Sequence, residues 1–443
     1  MTEKFSHAVP IPGLSLWNLP GRQDSIEEYV EAQIRPATTY DYNNPITFFI
    51  SNAREDYWSP SDSELYIKMT VTPTFNTTDP LTQVLWENNI VPVDNFMHSL
   101  FRKIDLIING KNVSDDSTDY GFKAHLENKL GFSDSAQKSQ LSTIIFGEAS
   151  ERNKFIPNFL KKDFKSATFW LGGPLNFDLN FQDKLVLGGT DIVIQLLAGR
   201  DPKFLFKLTE KVTSVNIKFD EVVYYATKFR VSKELLAAHT LALERSAARY
   251  PFTRNSIKTF TIASGVNRAT LNNCFIGTLP RRIFVTAIKE STYNGSYGTD
   301  TMGFVNAGVS KISVLIDGKQ FPNTSYSPQF VFDDKTYKTG HSPLAVREYR
   351  GFLKAIGENH SSAKIGLSYF DWARHPVYGF NFAPDLSGGA SGSAGYHVSE
   401  TKSGQLSIDL EFSAPLAESH VFIILGEFDK LLEIDQFGTV LIT

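Results

Sequence analysis

The chain has 443 residues, enough for two or three domains with cores of their own, and it carries 35 phenylalanines and 13% aromatics against only 21% charged residues. That balance argues against a disordered or coiled-coil chain and favours strands with broad apolar contacts. A net charge of −4 gives no electrostatic case for wrapping a polyanion, and a single cysteine, Cys274, excludes a disulfide framework and a cysteine-built zinc site.

Residues 1–44 are Pro-rich (Pro10, Pro12, Pro20, Pro36) and read as an irregular arm, either laid on a surface or disordered, with one short helix expected over residues 24–33. No basic segment followed by an apolar one opens the chain, so no signal peptide is expected, and no run nears the ~18 apolar residues of a membrane span. Five Asn-x-Ser/Thr sequons, from Asn76, Asn112, Asn294, Asn323 and Asn359, then read as turn chemistry in a chain made inside a cell and not secreted.

Strands are expected over residues 46–50 and 64–71, the second largely alternating apolar and polar at period two. A loop follows around residues 76–79, and residues 91–101 lead into the β-branched run 103–111, Lys-Ile-Asp-Leu-Ile-Ile-Asn-Gly-Lys. The spacing of Phe122, Leu126 and Leu130 predicts a helix over residues 118–130 with Gly131 as its stop. Further strands are expected over 175–181, 191–197 and 215–225, with a turn at Gly188-Gly189 between the first two. A helix over 232–247, with Ser232 as N-cap, reads as a connector. A second half then starts near Ser256, with strands over 257–263, 282–288, 309–316, 363–367, 406–412 and 421–425 and long Gly/Ser/Asn-rich loops between residues 318 and 406. Loops of that length are usually functional or ordered by a partner.

Two echoes link the halves. Residues 311–319, Lys-Ile-Ser-Val-Leu-Ile-Asp-Gly-Lys, lie 208 positions after 103–111 and share five of nine residues with it. Asn109-Gly110 and Asp317-Gly318 are the hairpin-turn dipeptides, because a type I′ turn needs positive φ at both central residues. Residues 175–181 (Leu-Asn-Phe-Asp-Leu-Asn-Phe) and 406–412 (Leu-Ser-Ile-Asp-Leu-Glu-Phe) form a second pair in the same order. The simplest reading is one β domain in two tandem copies, as two sandwiches or jelly rolls. The expected boundaries are an arm over 1–44, a first β domain over 45–228, a connector over 229–254 and a second β domain over 255–443.

No catalytic or metal spacing emerges. The loop 387–395 lacks the Lys-Ser/Thr that a phosphate cradle needs, and no Gly-x-Ser-x-Gly elbow is present. None of the nine histidines falls at His-x-His or i, i+4 spacing, so a two-domain metal-binding cupin is not supported. His98 and His420 sit in apolar surroundings and read as buried, satisfied side chains. Cys274 reads as an inert buried thiol. Asp178 and Asp409 hold matching places in the second echo and read as residues of a solvated strand face. Basic clusters over 152–165 and at Arg281-Arg282 read as solvated faces. The sequence therefore points to no catalytic residue, cofactor or metal.

The ordered set of segments resembles the major capsid protein, or hexon, of polintons and adintoviruses, a double jelly-roll family. The resemblance is carried in the first half by residues 91–101, 103–114, 120–130 and Gly189-Thr190-Asp191-Ile192. In the second half it is carried by Tyr250-Pro251, residues 279–282, 293–296 and 317–322, Arg347-Glu348-Tyr349, residues 383–386 and the tail 426–435. It spans roughly residues 45–443, and the loop 387–395 is richer in Gly and Ser than the family pattern. The resemblance implies an all-β chain of two eight-stranded jelly rolls with a few short helices. It further implies a homotrimeric, pseudo-hexagonal capsomer, an icosahedral virion shell, contacts with neighbouring capsomers and a single jelly-roll penton protein at the fivefold vertices. A tandem jelly-roll binding module and a capsid-derived gene kept by a host are the alternatives.

Overall fold

The computed structural model describes residues 22–38, 40–75, 90–115, 117–148, 166–208, 212–330, 345–357, 366–386 and 402–443, together with Leu16, Arg152 and Glu400. The loops expected at 76–79 and 387–395, and most of the basic cluster 152–165, lie outside the described residues.

The first half contains β1 (Ile26–Ile34), β2 (Ile46–Ser51), β3 (Asp56–Phe75), β4 (Ile90–Pro92), β5 (Lys103–Ile108), β6 (Lys111–Asn112), β7 (Ala167–Pro174), β8 (Asp191–Leu197), β9 (Phe206–Leu208) and β10 (Val212–Val231). Two antiparallel sheets, ordered β1-β10-β3-β7 and β2-β8-β5-β6, face each other, and β4 pairs with β9 apart from them. The second half contains β11 (Ala248–Ile262), β12 (Arg268–Thr278), β13 (Arg282–Lys289), β14 (Val309–Ile316), β15 (Lys319–Tyr326), β16 (Tyr378–Asn381), β17 (Ser403–Phe412), β18 (His420–Ile434) and β19 (Val440–Ile442). Its sheets are β11-β18-β13-β16, with β19 added to β18, and β12-β17-β14-β15. Strand for strand, the second pair of sheets repeats the first. Each half is an eight-stranded jelly roll, and the chain is a double jelly roll.

Alternation drives each sandwich closed, because a period of two places every second side chain on one face. In β5 Ile104, Leu106 and Ile108 point inward, against Ile192, Ile194 and Leu196 of β8 and Ile46, Phe48 and Ile50 of β2. Leu65, Ile67, Met69 and Val71 of β3 close the core from the other sheet. Seven of the eight residues of β13 are buried, from Arg282 to Ile288, and so are His420 to Glu427 of β18. The outer face of these strands is covered as well as the inner. The described α-helices are α1 (Phe96–Ser99), α2 (Tyr120–Gly131), α3 (Asp134–Lys138), α4 (Lys233–Leu243), α5 (Glu290–Tyr293), α6 (Val346–Ile356) and α7 (Tyr369–Arg374). Part of that cover is α6, which sets Phe352 edge-on to Phe284 and Ala355 against Gly379 of β16.

Several expectations are corrected. Residues 24–33 were expected as a short helix in an arm, but Ile26–Ile34 is β1, paired antiparallel with β10. Its acids suit either state, and the free edge of β10 decides between them. Residues 175–181 are not a strand: the segment turns into a 3-10 helix over Asp178–Phe181, because Asp178 is drawn inward to Lys123. The counterpart of β17 is therefore β8, so the second echo does not match equivalent strands. Gly131 is the last helical residue of α2, with extended Phe132 as its C-cap. Gly366 and Leu367 are not in a strand, and the rest of the expected strand 363–367 lies outside the described residues. The stretch between 318 and 406 carries β15, α6, α7 and β16 besides its loops.

Candidate functional site at the joint between the rolls

The two hairpin turns occupy matching places. Asn109 and Gly110 have φ of 47° and 79°, and Asp317 and Gly318 have 48° and 78°. Each turn also grips the neighbouring strand in the same way. Asn109 donates its N–H to the Asp191 carbonyl (2.8 Å) and its Oδ1 accepts the Asp191 N–H (2.8 Å). Asp317 donates to the Gln405 carbonyl (3.0 Å) and its Oδ1 accepts the Gln405 N–H (2.8 Å). Asn109 alone has an amide to spare, and its Nδ2 donates to the Gly438 carbonyl of the second roll (2.8 Å).

That bond is one end of a long joint. Along it α2 presses on β11, and residues whose charges look solvated in the sequence become buried. Lys123 Nζ lies 2.6 Å from Asp178 Oδ1 and 3.8 Å from Glu127 Oε1. Asn255 of β11 donates its side-chain amide to Glu127 (2.7 Å) and its backbone N–H to Asp178 (3.3 Å), while Asn176 donates to the other Glu127 oxygen (3.1 Å). The Arg254 guanidinium donates to the carbonyls of Ser114 (2.7 Å) and Val113 (3.2 Å). Phe122 stacks on Tyr293 with centroids 5.5 Å apart.

The electrostatics follow from burial. Desolvation raises the Glu127 carboxyl to about 7 against the pull of Lys123, and it also raises Asp178. Burial pulls the Lys123 ammonium down, but Asp178 and Glu127 outweigh it and hold the group above its ordinary value. A lysine between two carboxylates has the residue types of an acid–base centre. The cavity beside it, lined by Ile104, Asp115, Tyr120 and Asp178 among others, measures only about 20 Å³. That is room for one water molecule and no substrate. The cluster bonds the two rolls to each other.

The other sequence candidates are placed as follows. His98 is buried, with Nδ1 2.7 Å from the Tyr120 hydroxyl, and burial drives it down to about 3, so it stays neutral. His420 is buried with Nδ1 2.8 Å from the Glu418 carbonyl. Cys274 is buried and its thiol is pushed up to about 12 by desolvation. Asp409 accepts from Arg268 (2.8 Å) and Thr270 (3.0 Å) on the outer face of its sheet. Asp178, expected on such a face, is buried instead. Arg281 and Arg282 are buried beside Glu427 and Asp429, contrary to a solvated basic face. No group of His, Cys, Asp and Glu able to hold a metal occurs among the described residues. No described helix is long and apolar enough to cross a membrane. The joint residues Lys123, Glu127, Arg254 and Asn255 carry no signal in the sequence, since Lys123 and Glu127 look like an ordinary i, i+4 surface pair.

No family model matches the chain. It is 22% identical over 432 residues to an uncharacterized protein of Caenorhabditis elegans, covering 94% of this chain and 97% of that one. Its fold is shared with a protein chain in the cryo-EM structure of the Sputnik virophage (TM-score 0.66, 12% identity, covering 99% of this chain and 93% of that one). It is shared too with the Faustovirus major capsid protein (TM-score 0.56, 10% identity, 97% and 93% covered). The mavirus major capsid protein matches with a TM-score of 0.54, 12% identity and coverage of 100% and 96%.

Proposed function

We propose that the chain is the major structural subunit of an icosahedral viral shell, and that three copies form a pseudo-hexagonal capsomer. The observation that carries this reading is the pair of equivalent jelly rolls welded side by side through a joint of buried, mutually bonded charges. A chain of two like rolls gives a trimer six like positions, which suits hexagonal tiling. Similarity to capsid proteins over nearly the full length of both chains supports the same reading. In it, neighbouring capsomers and a single jelly-roll protein at the fivefold corners are the partners, and the virion is the final location. The joint divides the chain into one roll ending at Val231, a connector through α4, and a second roll opening at Ala248. The hairpin turns at Asn109-Gly110 and Asp317-Gly318 are scaffold points with no ligand role.

Electron microscopy and light scattering of the purified chain test the reading. Trimers with a hexagonal outline, or shells, are expected. A monomer at micromolar concentration, with no larger assembly in any buffer, would overturn it. A second reading, a capsid-derived gene retained in an animal genome, is favoured by the nematode relative of matching span. It predicts trimers that do not proceed to shells.

A further inference from the structure

The internal joint shows what one roll needs from the next. β11 is the edge strand of its sheet, and its Arg254, Asn255 and Ser256 reach the first roll at Ser114, Glu127 and Asp115. The helix receiving it is α2, between β6 and β7. In the second roll the first and longer of the two described helices between β15 and β16 is α6, and in the first roll the edge strand is β1. Counting from the start of the third strand of each roll gives the match. Asn255 pairs with Glu427, which pairs with Arg282 at the start of β13. Glu28 pairs with Arg230, which pairs with Asp56 at the start of β3. Counted this way, Glu28 stands where Asn255 stands, and Glu27 bulges out of the register beside it.

Among the described residues, neither β1 nor the outer face of α6 has a roll against it. Residues 27–31 of β1 are exposed on both faces, with Tyr29 at 69%, and they carry Glu27, Glu28 (also bonded to Arg230 at 3.1 Å) and Glu31. On α6 the exposed positions include Arg350 and Lys354, four apart on one side of the helix, with Arg347 beside them held by the Ser325 and Thr324 carbonyls. Charge is inverted relative to the internal joint. There the strand brings Arg254 and the receiving side brings Asp115 and Glu127, whereas here the strand is acidic and the helix basic.

We propose that a second copy of this chain docks its β1 edge, through Glu27, Glu28 and Glu31, against the basic side of α6, repeating between chains the joint made within each chain. The proposal rests on the trimeric reading above and names its contact. Opposite signs at the two kinds of joint also disfavour a roll seating itself in the wrong one, since like charges then meet.

Sedimentation of three variants decides it. Glu27→Lys/Glu28→Lys/Glu31→Lys should fall from trimer to monomer, with association weakened on the order of a hundredfold, at unchanged far-UV circular dichroism. Arg350→Glu/Lys354→Glu should do the same, and mixing the two variants should restore oligomers. A wild-type trimer that survives either charge reversal overturns this contact and leaves the trimer standing. A monomeric wild type overturns the trimeric reading itself. If a reversal variant fails to fold, Tyr29→Cys/Lys354→Cys with a bis-maleimide reports in its place. Cross-links between chains are expected, and their absence from a trimer counts against the contact.

Discussion

Among the described residues Lys123 is the one ammonium in direct contact with Asp178 and Glu127, and replacing it with methionine tests whether the joint depends on a compensated buried charge. The side chains of Lys123, Asp178 and Glu127 are 8%, 2% and 6% exposed, so solvent screening is slight. Removing one partner of such a buried cluster leaves the others uncompensated and costs about 3–5 kcal/mol. The pH dependence gives a second check. In the native chain Glu127 holds its proton up to about 7, well above its ordinary carboxylate value of 4.5. The folded state therefore binds more protons than the unfolded state across that window. The stability this group contributes is complete below about 4.5 and is lost as the pH rises through about 7. Without Lys123 the carboxyl groups rise further, so Lys123→Met should lose most at pH 8 and much less at pH 5. Urea unfolding followed by tryptophan fluorescence, at both pH values, measures this. A variant within about 1 kcal/mol of the parent at pH 8, with the same pH slope, would show that the cluster is not what holds α2 to β11.

The equivalence of the two turns makes a paired test. A Cβ at Gly110 or at Gly318 meets nothing within 4 Å, yet both residues have left-handed φ. Gly110→Ala and Gly318→Ala should each cost about 1–2 kcal/mol from backbone strain alone, read as matching shifts in unfolding midpoint. Unequal shifts would mean the turns are not equivalent. Gly188→Ala is the contrast, because its Cβ would collide with the Arg54 carbonyl oxygen, and it should be the most damaging of the three. Cys274, buried and with its thiol raised to about 12, should resist maleimide in the folded chain and react after denaturation. Rapid labelling of the native chain would contradict the packing of β12.

Local pattern carried much of the fold. The alternation over 64–71, the Asn-Gly and Asp-Gly dipeptides, the spacing of Phe122, Leu126 and Leu130, and Ser232, whose Oγ accepts the Leu235 N–H, all report short-range physics. The misreadings come where distant residues decide. Residues 175–181 alternate like a strand, but Asp178 is committed to Lys123, 55 positions away, and the backbone turns to deliver it. Residues 26–34 hold helix-compatible acids, and only the free edge of β10 makes them a strand. The candidate site was illegible for the same reason. Glu127 and Asn255 are 128 positions apart, and nothing near either one announces that a second roll will bury it.

Asn109 and Asp317 differ by a single group, an amide nitrogen in one and a carboxylate oxygen in the other. Both copies need an acceptor to hold the adjoining strand, but a carboxylate has no donor to offer a carbonyl. The donor stands only in the copy that meets Gly438. Were one small roll to build a six-membered ring by itself, a single side chain would have to serve every contact alike. In the trimer proposed above, fusing two copies removes that constraint: each half can drift toward its own neighbour, and the ring would gain an alternating grammar that an identical-subunit hexamer could not write.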